Sequence, residues 1–144
     1  MLTYSDVVKL YPHTRGIKVD TLVYRTVTLD SSIQQAKGLF IGSQRDKDLL
    51  TAIGNGAISV IWPKDIPLPA YTPNDFPVIY VDDSIEAMVK LVRNYTEKMT
   101  MKKRGDATIM IFTKDELQQS SMYKEIYGLL NNVKESKEMG NEDQ

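Results

Sequence analysis

The 144-residue chain contains no cysteine and only one histidine, His13. The absence of cysteine excludes disulfide bonds, thiol nucleophiles and cysteine metal sites, and it is typical of proteins from a reducing compartment. His13 follows a proline in a predicted turn, so we expect an exposed turn residue rather than a ligand or catalytic base. A Ser-His-Asp triad cannot be built around it. The sequence therefore carries no signal of nucleophilic catalysis.

Long apolar runs and a large net charge are also missing. No apolar stretch approaches the roughly 20 residues of a membrane-spanning helix, and the N-terminus lacks the basic-then-apolar order of a signal peptide. The formal net charge is −1 and the pI is about 5.8, so overall electrostatics favour neither nucleic acid nor anionic membranes. Hydrophobic residues make up 42% of the chain, which is enough for a core. We expect a cytoplasmic protein that binds neither nucleic acid nor membrane.

Predicted strands alternate with predicted helices along the chain. A capping-box pattern, Thr3-x-x-Asp6, predicts a short first helix. The predicted strands cover residues 17–29 (one or two strands), 39–42, 57–62, 78–81 and 107–112. The further predicted helices cover 46–54, 83–99 and 115–133. This alternation predicts an α/β domain with a mixed sheet.

Composition divides the chain into four predicted regions. We expect an α/β domain over residues 1–97, a basic linker over 98–106, a strand–helix appendage over 107–133 and a flexible tail over 134–144. The predicted helix of the appendage carries an apolar stripe of Tyr123, Ile126, Tyr127 and Leu130. Because exposure of that stripe is unfavourable, we expect this helix to pack back on the body of the protein.

Three stretches, in order and at matching spacing, resemble the amino-terminal domain of the Mur ligases. The first is "TLDSSIQQAKGLFIG" (28–42), where the family has a strand ending in Asp-Ser-Arg and then Gly-Asp-Leu-Phe. Asp30, Ser31, Leu39 and Phe40 fall on that motif. The other stretches are "AIGNGAISVIW" (52–62) and "FPVIYVDDSIEAMVKLVRNY" (76–95). The resemblance covers roughly residues 2–95.

The resemblance implies a ligand site at two loops that hold uridine diphosphate in the family. In this chain the loops carry Asp30, Ser31 and Ser32, and Ser43, Gln44 and Arg45. Hydroxyl groups can donate to such a ligand, an amide can read a uracil edge, and a guanidinium can fork onto a diphosphate. The chain also departs from the family here, because Ser32 replaces the arginine, Lys37-Gly38 replace Gly-Asp, and the second loop is shortened. The alternative is that Asp30 and Ser31 only form an Asx-type turn.

A second departure falls where the family has the glycine-rich loop of its ATP-binding domain. Lys114 and Leu117 stand at the positions of two glycines, and Gln118 stands at the phosphate-binding lysine. Two carboxylates lie between these residues and would repel phosphate. We therefore expect no ATP binding and no ligase activity, and we assign no catalytic residue, cofactor or metal.

The pair Asp82-Asp83 allows two interpretations, a metal site or the N-cap of the following helix. The end of a strand running into a helix favours the cap, because an aspartate there accepts otherwise unpaired backbone N–H groups.

These observations lead to three hypotheses. The first is a non-catalytic binding or regulatory module related to the Mur ligases, which binds a UDP-sugar or a peptidoglycan precursor. The second is a protein-interaction or homo-oligomeric structural protein that has lost nucleotide binding. The third is an enzyme with unfamiliar chemistry.

Overall fold

The computed structural model describes residues 1–101 and 107–112 of the chain. The predicted helix over 115–133, the changed phosphate loop, the tail and most of the predicted linker lie outside these residues. The elements, in chain order, are β1 (Leu2–Thr3), α1 (Tyr4–Leu10), β2 (Thr14–Arg15), β3 (Val23–Tyr24), β4 (Thr26–Thr28), β5 (Gly38–Ile41), α2 (Leu49–Gly54), β6 (Ala57–Pro63), β7 (Val78–Val81), α3 (Ser84–Met101) and β8 (Ile109–Ile111).

Six strands form one mixed sheet in the order β2-β7-β6-β5-β4-β8. The strands from β7 to β8 in that order pair in parallel, and β2 is antiparallel to β7. β1 and β3 form a separate antiparallel pair. The predicted α/β class with a mixed sheet is therefore confirmed.

The sheet separates two apolar layers. One layer contains the buried side chains of α1 and α3, including Met88 and Leu91, against Ile61 of β6. The other layer packs α2 and the loop between β6 and β7 (residues 64–77) against Val60 and Trp62. This division follows from the strand period of two, which sends successive side chains of β6 to opposite faces.

Aspartate side chains cap the N-termini of α2 and α3, and one of them corrects a predicted boundary. Asp83 caps α3 as predicted, because its Oδ1 accepts from the backbone N–H groups of Ile85 at 2.8 Å and Glu86 at 3.2 Å. The prediction that α2 begins at Asp46 is wrong. Asp48 is the N-cap and accepts from the N–H of Thr51 at 3.1 Å. The carboxylate of Asp46 is engaged elsewhere, as described below.

The strand predicted for the appendage is part of the main sheet. β8 pairs in parallel with β4, and the side chains of Met110 and Phe112 are buried in the same layer as α3. The hydroxyl of Thr108 accepts from the N–H of Leu2 at 2.8 Å and donates to the carbonyl of Tyr24 at 2.6 Å. The chain from residue 107 to 112 therefore contributes directly to the core. Helix α3 also runs to Met101, into the predicted linker.

Candidate functional site

A cleft of about 260 Å³ lies where the parallel strands β5, β6 and β7 end. In open α/β sheets, ligands bind in the crevice outside the carboxyl ends of the strands. Three segments line the cleft: the loop after β5, the loop after β6, and the junction between β7 and α3. The lining residues are Ser43, Gln44, Arg45, Pro63, Asp65, Ile66, Asp82, Asp83, Ser84 and Ile85.

The loop after β5 is held in one position by its backbone. Gly42 lies against the ring of Trp62 so closely that an added Cβ would come within 2.5 Å of two ring carbons. The hydroxyl of Ser84 donates to the carbonyl of Gly42. Ser43 and Asp46 then exchange backbone hydrogen bonds of 3.0 and 3.2 Å, which close a tight turn. Gln44 therefore projects from a fixed turn, and its side chain is exposed.

Charges of opposite sign line the cleft. The guanidinium of Arg45 is exposed and has no ion-pair partner within the described residues. Asp82 forms an exposed ion pair with Lys64, with Nζ and Oδ1 3.3 Å apart. Asp83 is occupied as the cap of α3, so the N–H groups at this helix N-terminus already have an acceptor. An anionic ligand group can therefore be bound by Arg45 and not by the helix N-terminus.

The carboxylates at the start of α3 act electrostatically on the hydroxyl of Tyr11. The pKa of Tyr11 is raised to about 12, first by burial of its hydroxyl and then, in decreasing order of effect, by the carboxylates of Glu86, Asp83 and Asp82. A neighbouring carboxylate disfavours the phenolate because like charges repel. The junction between β7 and α3 thus brings the carboxylates of Asp82 and Asp83 to the cleft, whereas the loop after β5 brings the guanidinium of Arg45.

The loop of Asp30, Ser31 and Ser32 follows β4 but does not line the cleft. Oδ1 of Asp30 accepts from the N–H of Ser32 at 2.9 Å and from its hydroxyl at 2.6 Å. These contacts form an Asx turn at the end of β4. Ser31 is 6% exposed, so its side chain lies mostly inside the protein.

Two residues to which the sequence analysis gave no role in this loop, Asp46 and Asn55, fix the Asp30–Ser32 loop to its neighbours. Oδ2 of Asp46 accepts from the N–H of Ser31 at 2.7 Å, and Nδ2 of Asn55 donates to the carbonyl of Ser31 at 2.8 Å. The two predicted loops are therefore adjacent, as the resemblance implied, but Asp46 occupies their junction. No local pattern identifies Asp46, because its partner is distant in sequence.

His13 does not line the cleft. His13 is exposed and its ring lies beside that of Tyr80, with centroids 5.2 Å apart. Within residues 1–101 and 107–112, no three His, Cys, Asp or Glu side chains are grouped so that they can hold a metal ion. None of the helices described here combines the length and apolar character needed to cross a membrane.

Comparisons with protein-family models and with curated proteins find no match to this chain. The resemblance to the Mur ligases therefore depends on the three stretches quoted above.

Proposed function

We propose that this chain is a non-catalytic binding module and that its ligand occupies the cleft at the ends of β5, β6 and β7. The observation that carries the proposal is the pair Gln44 and Arg45 on a fixed turn at the cleft edge. Both side chains are exposed, and the guanidinium has no ion-pair partner in the described part of the chain. An Arg with these properties can form a bidentate contact with a phosphate or carboxylate.

The ligand class that we propose is a UDP-linked sugar, and its support is the resemblance together with the chemistry of the cleft. Gln44 can donate to and accept from a uracil edge, and Arg45 can bind the diphosphate. Asp65, on the loop after β6, offers an acceptor for sugar hydroxyl groups. A volume of about 260 Å³ is below the usual range for a drug-sized ligand, so part of this ligand extends outside the cleft.

The non-catalytic part of the proposal is supported by the composition of the lining. The ten lining residues include no histidine, cysteine or lysine. The hydroxyl of Ser84 donates to a backbone carbonyl, and Asp83 accepts from two backbone N–H groups. These groups hold the fold and are not arranged as a nucleophile with its base.

A thermal-shift screen with UDP, UDP-sugars and UDP-muramoyl peptides tests the proposal. A ligand at 100 times its Kd stabilises the fold by about 2.7 kcal/mol, which for a chain of this size raises the Tm by roughly 5–10 °C. Arg45→Ala should abolish the shift. Lys47→Ala is the matched control, because Lys47 is an exposed cation two residues away that does not line the cleft. If none of these compounds at millimolar concentration changes the Tm of the wild type, the ligand assignment is wrong.

A second candidate function, protein interaction, is favoured by one surface feature. Leu50 and Tyr71 are 61% and 48% exposed, and they are neighbours because the hydroxyl of Tyr71 accepts from the N–H of Leu50 at 2.9 Å. Adjacent exposed apolar side chains are typical of contact surfaces. Light scattering on the wild type and on Leu50→Ser tests self-association through this pair. A dimer that the substitution dissociates favours this function, and a monomer at all concentrations contradicts a homodimer here.

A further inference from the structure

Strand β8 is buried on one face of the sheet and open on the other. Met110 and Phe112 point into the layer that contains α3 and are 0% and 1% exposed. The strand register places Ile109 beside Thr26 and Ile111 beside Thr28, on the opposite face. There Ile109 is 40% exposed and Ile111 is half-buried. Two isoleucines of a sheet strand therefore lack cover in the described part of the chain.

On this face of the sheet, the neighbouring strand β4 is covered by other residues, whereas β8 is exposed. Thr28 is fully buried, and the hydroxyl of Thr26 donates to the carbonyl of Ala36 at 3.1 Å, so the loop between β4 and β5 lies over β4. Parallel strands are normally covered on both faces because their side chains are apolar on both. Ile109 is therefore an exception to this rule. An exposed isoleucine in a loop would not be unusual, because folded proteins expose many apolar side chains.

We propose that residues 115–133 of this same chain pack as a helix over Ile109 and Ile111. The sequence predicts a helix in this range, and its apolar stripe of Tyr123, Ile126 and Tyr127 has the i, i+3, i+4 spacing of one helix face. Because α3 covers one face of β8, only the opposite face of β8 is available to contact the predicted helix. A helix of this length is about 28 Å long, which is more than enough to cover a three-residue strand.

The connection between strand and segment favours this occupant over a second copy of the chain. Only residues 113 and 114 separate Phe112 from the predicted helix. A tether this short gives an effective concentration in the millimolar range, which a separate molecule does not reach at ordinary protein concentrations. The inference is independent of the ligand proposed above.

Cross-linking of cysteine pairs tests the proposal directly, because the natural chain has no cysteine and introduced thiols are the only ones present. In the full chain, Ile109→Cys is combined in turn with cysteine at Tyr123, Ile126 and Tyr127, and a short bismaleimide is added. We expect at least one pair to cross-link within the chain several-fold faster than Ile109→Cys with Glu125→Cys. Glu125 is the control because it lies on the opposite side of the predicted helix. Equal rates for all pairs, or cross-links only between two chains, would overturn the proposal.

A double-mutant cycle provides a second readout that does not require a cross-link. Ile109→Ser and Ile126→Ser are measured alone and together in the full chain, and the decreases in Tm are compared. If the side chains are in contact, the Tm of the double variant falls by less than the sum of the decreases in the two single variants. Ile17→Ser with Ile126→Ser is the additive control, because Ile17 is 53% exposed and follows β2 at the other edge of the sheet. An additive result for Ile109 as well would contradict the contact.

Discussion

The N–H of Ser31 and Oδ2 of Asp46 are 2.7 Å apart, and this hydrogen bond joins the loop after β4 to the loop after β5. The other carboxylate oxygen of Asp46 accepts from the N–H of Asp48 at 3.1 Å. One side chain therefore fixes the Asp30–Ser32 loop, the turn that carries Gln44 and Arg45, and the approach to α2.

Replacement of Asp46 by alanine should destabilise the fold. Ser31 is 6% exposed, so its N–H would be left without an acceptor in a place that water hardly reaches. An unsatisfied buried donor costs about 1–3 kcal/mol. We expect Asp46→Ala to lower the free energy of unfolding by that amount in urea denaturation, and Asp46→Asn to lower it less, because the amide retains one acceptor.

The control for Asp46→Ala is Asp65→Ala. Asp65 is exposed, and its replacement by alanine removes the same negative charge. A surface substitution of this kind changes stability by less than about 0.5 kcal/mol. If Asp46→Ala lowers the free energy of unfolding no more than Asp65→Ala does, the hydrogen bond to Ser31 does not hold the two loops together.

Gly42→Ala should also destabilise, for a steric reason. The added methyl group would lie 2.5 Å from two carbons of the Trp62 ring, and Trp62 is fully buried. Overpacking of this kind costs about 1–3 kcal/mol. The matched control is Gly54→Ala, because no atom lies within 4 Å of a Cβ at that helical position. In a helix this change is neutral or stabilises by up to about 1 kcal/mol.

Thermal denaturation followed by the fluorescence of Trp62, the only tryptophan, measures both glycine variants. A Gly42→Ala protein that melts at or above the wild-type temperature would contradict the close contact between this loop and the indole ring.

The sequence predicted the elements whose signals are local. In β6, Val60 and Trp62 alternate with Ile61, and the two sets lie in different apolar layers. Asp83 at the end of a strand predicted the start of α3 within one residue. In both cases the signal is carried by consecutive residues of the chain, although β6 itself pairs with strands that are distant in sequence.

The features that the sequence missed depend on distant partners. β1 and β2 have two residues each, and they form because distant segments supply hydrogen bonds, as β3 and Thr108 do for β1 and β7 does for β2. Asp46 and Asp48 both satisfy the rules for a helix N-cap. Only the position of Ser31, 15 residues away, decides that Asp46 joins two loops instead.

Titration of Tyr11 should make the free energy of unfolding decrease at alkaline pH. Its folded-state pKa is raised to about 12, whereas an unfolded tyrosine titrates near 10. The unfolded chain therefore loses this proton first, and stability falls as the pH rises through this window. Urea denaturation at pH 9 and pH 11 should show a smaller fall for Tyr11→Phe than for the wild type. An equal fall in both proteins would indicate that Tyr11 titrates normally.

The chain should not bind ATP with magnesium. In the resemblance to the Mur ligases, the positions of the glycines and lysine of the phosphate loop hold Lys114, Leu117 and Gln118. Phosphate binding requires close approach of the backbone together with a positive charge at the lysine position, and these residues supply neither in the required places. Isothermal titration calorimetry should show no heat of binding. Magnesium-dependent binding tighter than millimolar would contradict this prediction.

An NMR titration with a UDP-sugar distinguishes a ligand in the cleft at the ends of β5, β6 and β7 from a ligand elsewhere on the protein. We expect binding in this cleft to change the amide chemical shifts of Ser43, Gln44 and Arg45 and of the start of α3. We expect smaller changes at Ser32, since the Asp30–Ser32 loop does not line the cleft. Changes confined to the Asp30–Ser32 loop, or no changes at millimolar ligand, would contradict the proposed binding in the cleft.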